Sequence, residues 1–413
     1  MPLHPLFTRS PYGQSVSRPV DPPSRLTRSL GLRGAVTVGV SAMIGTGVFA
    51  VWQPALQRAG SLLVAAVLIA AVVAALNATS TARLAARYPQ AGGVYAYGRI
   101  KLGRFFGVSA GVVFLIGKTA SASAAALTIG LYVWPDQAKL VAFVAIGAVL
   151  LLNLRGIVRS TFVAGVMVLG VVLVLAAFAV LAVIRAPQES GAGGALEGPD
   201  SALALLAASG LIFVAFAGYA RITVLGEEVR NPSRVIPMAV AISFVIVTLV
   251  YLVIAFVVWT AASQGIDIAP AALAGIAEVV GGDVLAGAIT IAAVLAAGAV
   301  LLSLIAGVGR TFYAMAAGGD APRVFAAVSS TRSVPYRAEI AAALVAGVLV
   351  AFGGLTLALG VSATMILTYY AIAHISALRI DRRPGAGGLL LAATPVIGLV
   401  GCTALIVAVI VAG

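Results

Sequence analysis

GVSAMIGTGVF, residues 39–49, puts three glycines, a serine and a threonine into the first long apolar run of the chain. Each glycine weakens a helix by about 1 kcal/mol relative to alanine. In hydrocarbon an unpaired N–H or C=O costs several kcal/mol, so irregular backbone survives there only where protein or a water-filled cavity surrounds it. The expected consequence is a discontinuous helix at Gly39 and at Gly45–Thr46–Gly47. Small residues at this spacing also suit close helix packing, and the stretch alone leaves both readings open.

Composition supplies the solvent. Of 413 residues, 62% are hydrophobic and 9% charged, far from the balance of a soluble domain. Apolar runs of roughly 20 residues recur, each long enough to cross a hydrocarbon core of about 30 Å. An all-α polytopic membrane protein is expected. Its eleven spans are read at 34–55, 60–79, 104–131, 138–154, 161–184, 201–225, 237–260, 284–308, 338–356, 360–378 and 388–411. Residues 1–30, with six prolines among Ser and Arg, are expected to form a disordered tail. Segment 80–103 is too polar to span and is expected as a short amphipathic helix followed by a Gly-Gly turn. The loop 185–200, with Glu189, Glu197 and Asp200, reads as a flexible connector.

The net charge of +13 could signal a nucleic-acid partner, so the placement of the charges decides. With the N-terminus inside, the inner segments hold 21 of the 26 Lys and Arg and the outer ones hold Arg58, Lys139 and Arg185. That asymmetry follows the positive-inside rule and gives a cytoplasmic N-terminus and an external C-terminus in a cell membrane. The basic charge therefore reports topology and anionic lipid, and no nucleic-acid partner is expected. Cys402 is the single cysteine, which rules out a disulfide within the chain and a zinc site. No His, Cys or carboxylate cluster has catalytic spacing, and no G-x-x-x-x-G-K-S/T loop occurs, so neither an enzyme nor an ATP-driven pump is expected, and no cofactor. His374 reads as a packed or interfacial residue near the inner end of span ten.

The sixth span, LLAASGLIFVAFAGYARITVLGEEV, carries a related weakness at Ser209–Gly210 and Ala217–Gly218. Five spans separate it from the first, as inverted repeats of one five-span unit would require. Transporters built that way bind substrate at the midplane between interrupted helices of the two halves. Half-helix N-termini suit a carboxylate and freed carbonyls suit an ammonium group, and an amino acid zwitterion has both.

Four patterns then carry a resemblance: IGTGVF in span one, YPQAGGVYAYGRIKLG after span two, FVAFAGYARITVLGEEVRNPSRVIPMAV in span six and its following loop, and RTFYAMAAGGDAPRVFAAV after span eight. In this order, over residues 34 to 337, they resemble the signatures of the amino acid–polyamine–organocation (APC) transporter superfamily. The resemblance implies a five-plus-five inverted-repeat (LeuT-type) fold and amino acid transport by alternating access. The halves would be 31–185 and 186–380, with an additional span in 381–413. It also implies that N–H groups of Gly45, Thr46 and Gly47 hold the substrate carboxylate, and that carbonyls near Ala42, Met43, Phe213 and Val214 take the ammonium group. Phe216, Ala217 and Tyr219 would shape the side-chain pocket or its gate.

This chain departs from the pattern at telling places. Ala220, followed by Arg221, stands where relatives commonly have Glu. The span-five position where many relatives carry Lys is Val171, and its span-eight serine partner aligns with Leu304, beside Ser303. Lys118 stands instead near the middle of span three, where a charge costs about 2.5–3.5 kcal/mol and generally faces a cavity or a partner. It has no obvious acidic partner, and Thr119, Ser121 and Ser123 are the nearest hydroxyls in sequence. Lys118 is expected to border the substrate, so a second positive charge there would be repelled and neutral or acidic amino acids favoured. A cationic amino acid or polyamine permease, and a non-transporting sensor on the same fold, are the alternatives. Lys118 and Ser303 are candidate coupling residues, for proton-linked symport or for exchange. Glu227 and Glu228, pairing with Arg33, Arg83 or Arg87, form a candidate inner gate.

Overall fold

The computed structural model describes residues 30–88, 93–156, 161–185, 196–223, 229–329, 334–379 and 389–412. These fold into α1 (Leu32–Met43), α2 (Gly47–Ala50), α3 (Trp52–Ala59), α4 (Leu63–Arg87), α5 (Gly93–Leu102), α6 (Arg104–Val133), α7 (Ala138–Leu154) and α8 (Thr161–Arg185). The second half continues with α9 (Ala202–Phe216), α10 (Ala220–Thr223), α11 (Pro232–Ser263), α12 (Ala272–Ala317), α13 (Tyr336–Phe352), α14 (Leu355–Leu378) and α15 (Leu389–Val411). Among the described residues, ten helical segments are long and apolar enough to cross a membrane. The 17-residue α13, about 25 Å long, falls just short of that length but packs among α6, α7 and α12 as an eleventh.

Several boundaries differ from the sequence reading. The polar residues after 79 extend α4 to Arg87 and do not start a separate helix. The Thr79 and Thr81 hydroxyls donate to the carbonyls of Ala75 and Asn77 one turn back, so the polar groups stay satisfied within the helix. The short helix of that segment is α5, which begins at Gly93, the second glycine of the pair, instead of preceding the pair. Residues 272–281, read as loop, are helical, and the chain turns into the span proper at Gly282, whose φ of 69° lies in the left-handed region glycine tolerates. Residues 1–29, most of the 185–200 connector, and Glu227 and Glu228 lie outside the described residues.

The core sits where α6 lies against α12 and α14, with α1, α4, α9 and α11 completing the centre. Alanine and glycine line these contacts and let backbones approach closely. At the arginine-rich end, a bridge between Leu30 and Val229, with Arg230 N–H donating to the Leu30 carbonyl at 2.9 Å, ties the entrance of α1 to the entrance of α11. At the opposite end the Arg58 guanidinium reaches the Ala412 carbonyl and Ser61 N–H donates to the Glu197 carbonyl. α11 starts sharply, with Asn231 at φ 51° and Pro232 in the first helical turn, where its missing N–H costs nothing.

Candidate substrate-binding site

α1 stops at Met43. Ile44 leaves the helix at φ −78° and ψ 72°, and helical backbone resumes at Gly47. Gly45 N–H folds back onto the Met43 carbonyl at 2.8 Å. Among the described residues the N–H groups of Thr46, Gly47 and Val48 have no backbone partner, and the buried Thr46 hydroxyl also has none. Val51 stays in the right-handed helical region, so α2 runs on into α3 and its dipole opens at the break.

The matching interruption in α9 lies at Ala217–Tyr219, where the helix tightens into a 3-10 turn. Ala217 N–H bonds the Val214 carbonyl three residues back, which takes from the Phe213 carbonyl the partner an α-helix would give it. Ser209 and Gly210, the other expected weakness, lie in regular helix. The Ser209 hydroxyl donates to Leu205, and Gly210 packs against Leu405 and Val409 of α15. That pair serves packing.

The two interruptions interlock. A methyl group on Gly47 would collide with the Cα and Cβ of Ala215, and one on Gly218 would strike the carbonyl of Ala42 and the N of Met43. Gly45 faces Val300 of α12 in the same way. Ala42, Met43, Gly45, Thr46, Gly47, Phe213, Val214, Phe216, Ala217 and Tyr219 therefore share one neighbourhood. Most are fully buried. The crevice lined by Ala182, Val183, Phe256, Val257 and Thr260 lies elsewhere, at the far end of α8 and α11.

One contributor was missed in the sequence reading. The Tyr251 hydroxyl of α11 lies 2.7 Å from the Met43 carbonyl and 3.2 Å from the Ala215 carbonyl, sharing one proton between the two interruptions. Its ring stacks edge-on to Trp52 and Phe216. The Met43 carbonyl, expected to receive the substrate's ammonium group, is thus already held by Tyr251 and by Gly45. Tyr251→Phe keeps the packing and removes the donor. We expect it to lower stability by about 1 kcal/mol, read as a fall in the thermal unfolding midpoint of purified protein, and to alter transport through the position of residues 43–46.

Around Tyr219 gathers an aromatic group. Tyr370 of α14 lies 5.4 Å from Tyr219 and 6.0 Å from Phe213 between ring centroids, and Tyr369 lies 5.3 Å from Phe114 of α6. Lys118, four residues along α6 from Phe114, is half-buried. Arg221 donates to the Ser303 hydroxyl at 2.9 Å. Ser121 and Ser123 do not turn to Lys118; they bond the Ser362 hydroxyl of α14 and the Ala346 carbonyl of α13. Val171 and Leu304 pack as apolar residues. Of the candidate gate, Arg33 and Arg87 are exposed and Arg83 is half-buried at the arginine-rich end.

Paired interruptions held together inside a bundle of membrane-length helices define a LeuT-type transporter. The chain belongs to the amino acid permease family of the APC superfamily: the family model described as "Amino acid permease" matches residues 30–413. It is 44% identical over 396 residues to an uncharacterized transporter of Mycobacterium tuberculosis, covering 94% of this chain and 88% of the relative. It is 28% identical to the branched-chain amino acid permease BcaP of Bacillus subtilis, over 75% of this chain and 72% of that protein. It is also 28% identical to a vacuolar cationic amino acid transporter of Arabidopsis thaliana, over 80% of this chain and 60% of that one.

Proposed function

We propose that this permease is a secondary transporter that moves neutral or acidic amino acids by alternating access, as a proton-coupled symporter or an exchanger. The observation that carries this reading is the interlock of Gly47 with Ala215 and of Gly218 with Ala42, which sets the unpaired N–H groups of the first half against the interrupted helix of the second. The substrate carboxylate would sit at the N–H groups of Thr46 and Gly47, with Gly45 turning to join them when the Met43 carbonyl is released. The ammonium group would be shared among the carbonyls of Ala42, Met43, Phe213 and Val214. Phe216, Ala217 and Tyr219 would bound the side chain.

In this reading residues 31–185 and 186–380 are the two inverted halves, and 381–413 adds a span. The arginine-rich end faces the cytoplasm, as the positive-inside rule requires, so the N-terminus is inside and the C-terminus outside a cell membrane. Arg33, Arg83 and Arg87 stand at the mouth that Glu227 and Glu228 would help close, and Lys118 with Ser303 is the candidate coupling pair. The names of the relatives divide between branched-chain and cationic substrates. Here Lys118, a positive charge near the middle of α6, favours the uncharged or negative side chain.

The test is counterflow in liposomes holding the purified protein, loaded with amino acid mixtures, with and without a proton or sodium gradient. Uptake accelerated by internal amino acid is expected. Saturable binding with no counterflow under any gradient would replace a transporter with a sensor.

A further inference from the structure

Glu339 lies in the first turn of α13 with 2% of its surface exposed. Its side chain packs onto α12 at Gly309, where a methyl group would collide with the Glu339 Cγ and lie 3.3 Å from its Cα and N. Only a residue without a side chain lets the carboxyl enter this contact. The Oε2 atom accepts no hydrogen bond, and among the described residues no basic group forms an ion pair with Glu339. An ionisable group left this way inside a membrane helix generally marks an ion or proton path.

The charged and titratable groups around it leave one candidate partner. α13 packs against α6, α7, α12 and the 3-10 turn Arg323–Ala326. At this end of α6 stands Arg104, which is held by Asp320, and Lys118 further along that helix makes no pair with Glu339. Arg155, just after α7, and Arg323 are exposed. On α13 itself Arg337 bonds the Tyr336 hydroxyl and the Val324 carbonyl. On α12, Tyr313 follows Gly309 by one turn, and Arg310 follows it directly with its side chain exposed. Arg310 is thus one residue from the atoms that Glu339 touches, yet the two do not pair.

Opposing effects meet at this carboxyl. Its place in the first helical turn, and a cation one residue from its contact, favour the charged form. Burial without a hydrogen-bond donor favours the form that carries a proton. A small movement of α12 against α13 decides between them, because it either leaves the carboxyl enclosed at Gly309 or brings it to Arg310. α12 is also the helix whose Val300 touches Gly45 at the α1 break and whose Ser303 accepts from Arg221. From Ser303 to Gly309 is about 9 Å along that helix.

Resting on the permease reading above, we propose that Glu339 is a proton-binding site of the transport cycle, protonated in the arrangement described here and deprotonated to the cytoplasm when α12 shifts and the carboxylate pairs with Arg310. The proton passes to water at the arginine-rich end, and the negative charge it leaves behind is balanced by the guanidinium already present. Through α12 that exchange reaches Ser303 and the α1 break.

The experiment measures counterflow of amino acid mixtures in liposomes at equal internal and external pH, from about pH 5 to about pH 9. It compares full-length wild type with Glu339→Gln, Glu339→Asp and Arg310→Gln, and thermal unfolding checks that each is folded. The wild-type rate is expected to change on the order of tenfold across that range. Glu339→Gln, neutral at every pH, should hold the acidic-limit rate of the wild type throughout, and Glu339→Asp should keep the dependence. Arg310→Gln removes the cation that competes with the proton, so the midpoint of its profile should move up by about one pH unit. Its exposed position keeps the test decisive if the Glu339 variants do not fold. A merely structural carboxyl would lower the rate in Glu339→Gln without flattening the profile. A wild-type profile in folded Glu339→Gln, or an unmoved midpoint in Arg310→Gln, would overturn the proton site and leave the permease reading intact. So would pH-independent counterflow in the wild type. Absence of counterflow at every pH would remove both.

Discussion

Gly218→Ala is expected to reduce transport at least tenfold without preventing insertion. The added methyl meets the carbonyl carbon and oxygen of Ala42 and the N of Met43, all backbone atoms. No rotamer change relieves such a clash. Either α1 or the 3-10 turn at Ala217–Tyr219 must move, and both belong to the interlock. Overpacking of this kind costs about 1–3 kcal/mol, which at 1.4 kcal/mol per decade lowers the interlocked population by about one to two orders of magnitude. Gly47→Ala should act likewise, since its methyl would enter Ala215. The control is Gly147→Ala in α7, where nothing lies within 4 Å of the new methyl. There the substitution should leave transport near wild type and add up to about 1 kcal/mol of helix stability. Initial uptake rates in liposomes, normalised to folded protein, check all three. Equal rates for Gly218→Ala and Gly147→Ala would mean that the interlock has no part in transport.

The contrast between Gly218 and Gly210 also shows where sequence reasoning ran out. Both lie in the same apolar run beside another small residue, and both were read as weak points. Absence of a side chain serves a backbone break and a close helix contact equally, and what decides is the partner. Gly218 meets the broken end of α1, while Gly210 meets Leu405 and Val409 of α15, nearly 200 residues away. The break at Gly45–Thr46–Gly47 was legible because two glycines flank a hydroxyl residue within a run otherwise long enough to span. Lys118 was legible as a charge out of place, but the bond from Arg221 to Ser303 of α12 was not, because the two residues are 82 positions apart in sequence.

Tyr251 left no such signal. In the apolar run of α11 a tyrosine looks like packing, and its hydroxyl acquires a role only because α11 crosses the ends of α1 and α9 together. The same holds for His374, which is fully buried and lies 2.6 Å from the Asn77 Oδ1, with the Cys402 thiol donating to that oxygen as well. Three polar residues from α4, α14 and α15 meet in the core at the Asn77 Oδ1, while the Asn77 Nδ2 and the His374 Nδ1 have no partner among the described residues, and each taken alone is an isolated polar side chain in a membrane helix. Glu339 was likewise unremarked. It is buried in the first turn of α13 against Gly309.

At the arginine-rich end, Asp320→Asn should weaken a clamp that joins the start of α6 to the end of α12. The Asp320 side chain has no exposed surface. It accepts from the Tyr95 hydroxyl at 2.7 Å and from the Arg104 Nε at 2.9 Å, and it pairs with Arg99, while Arg104 also reaches the Gly319 carbonyl. The hydrogen bond from Tyr95, then those from the arginines, hold the carboxyl below its ordinary pKa, and burial beside Asp320 pushes the Tyr95 hydroxyl up. Because the folded pKa is depressed, the stabilisation is fully present above the unfolded value of about 3.9 and is lost as pH falls through the folded one. The arginines are largely solvated, so the loss in Asp320→Asn should be about 1–3 kcal/mol. The difference in unfolding midpoint between wild type and variant should stay constant from about pH 5 to 8 and shrink below about pH 4. A difference that instead grew or vanished between pH 5 and 8 would assign the clamp's protonation to the physiological range. With the constant difference expected here, any pH dependence of transport in that range has to arise from other groups. The clamp would then act as a fixed tie between α5, α6 and α12, whose release is set by the substrate-driven movement of the helices and not by its own titration.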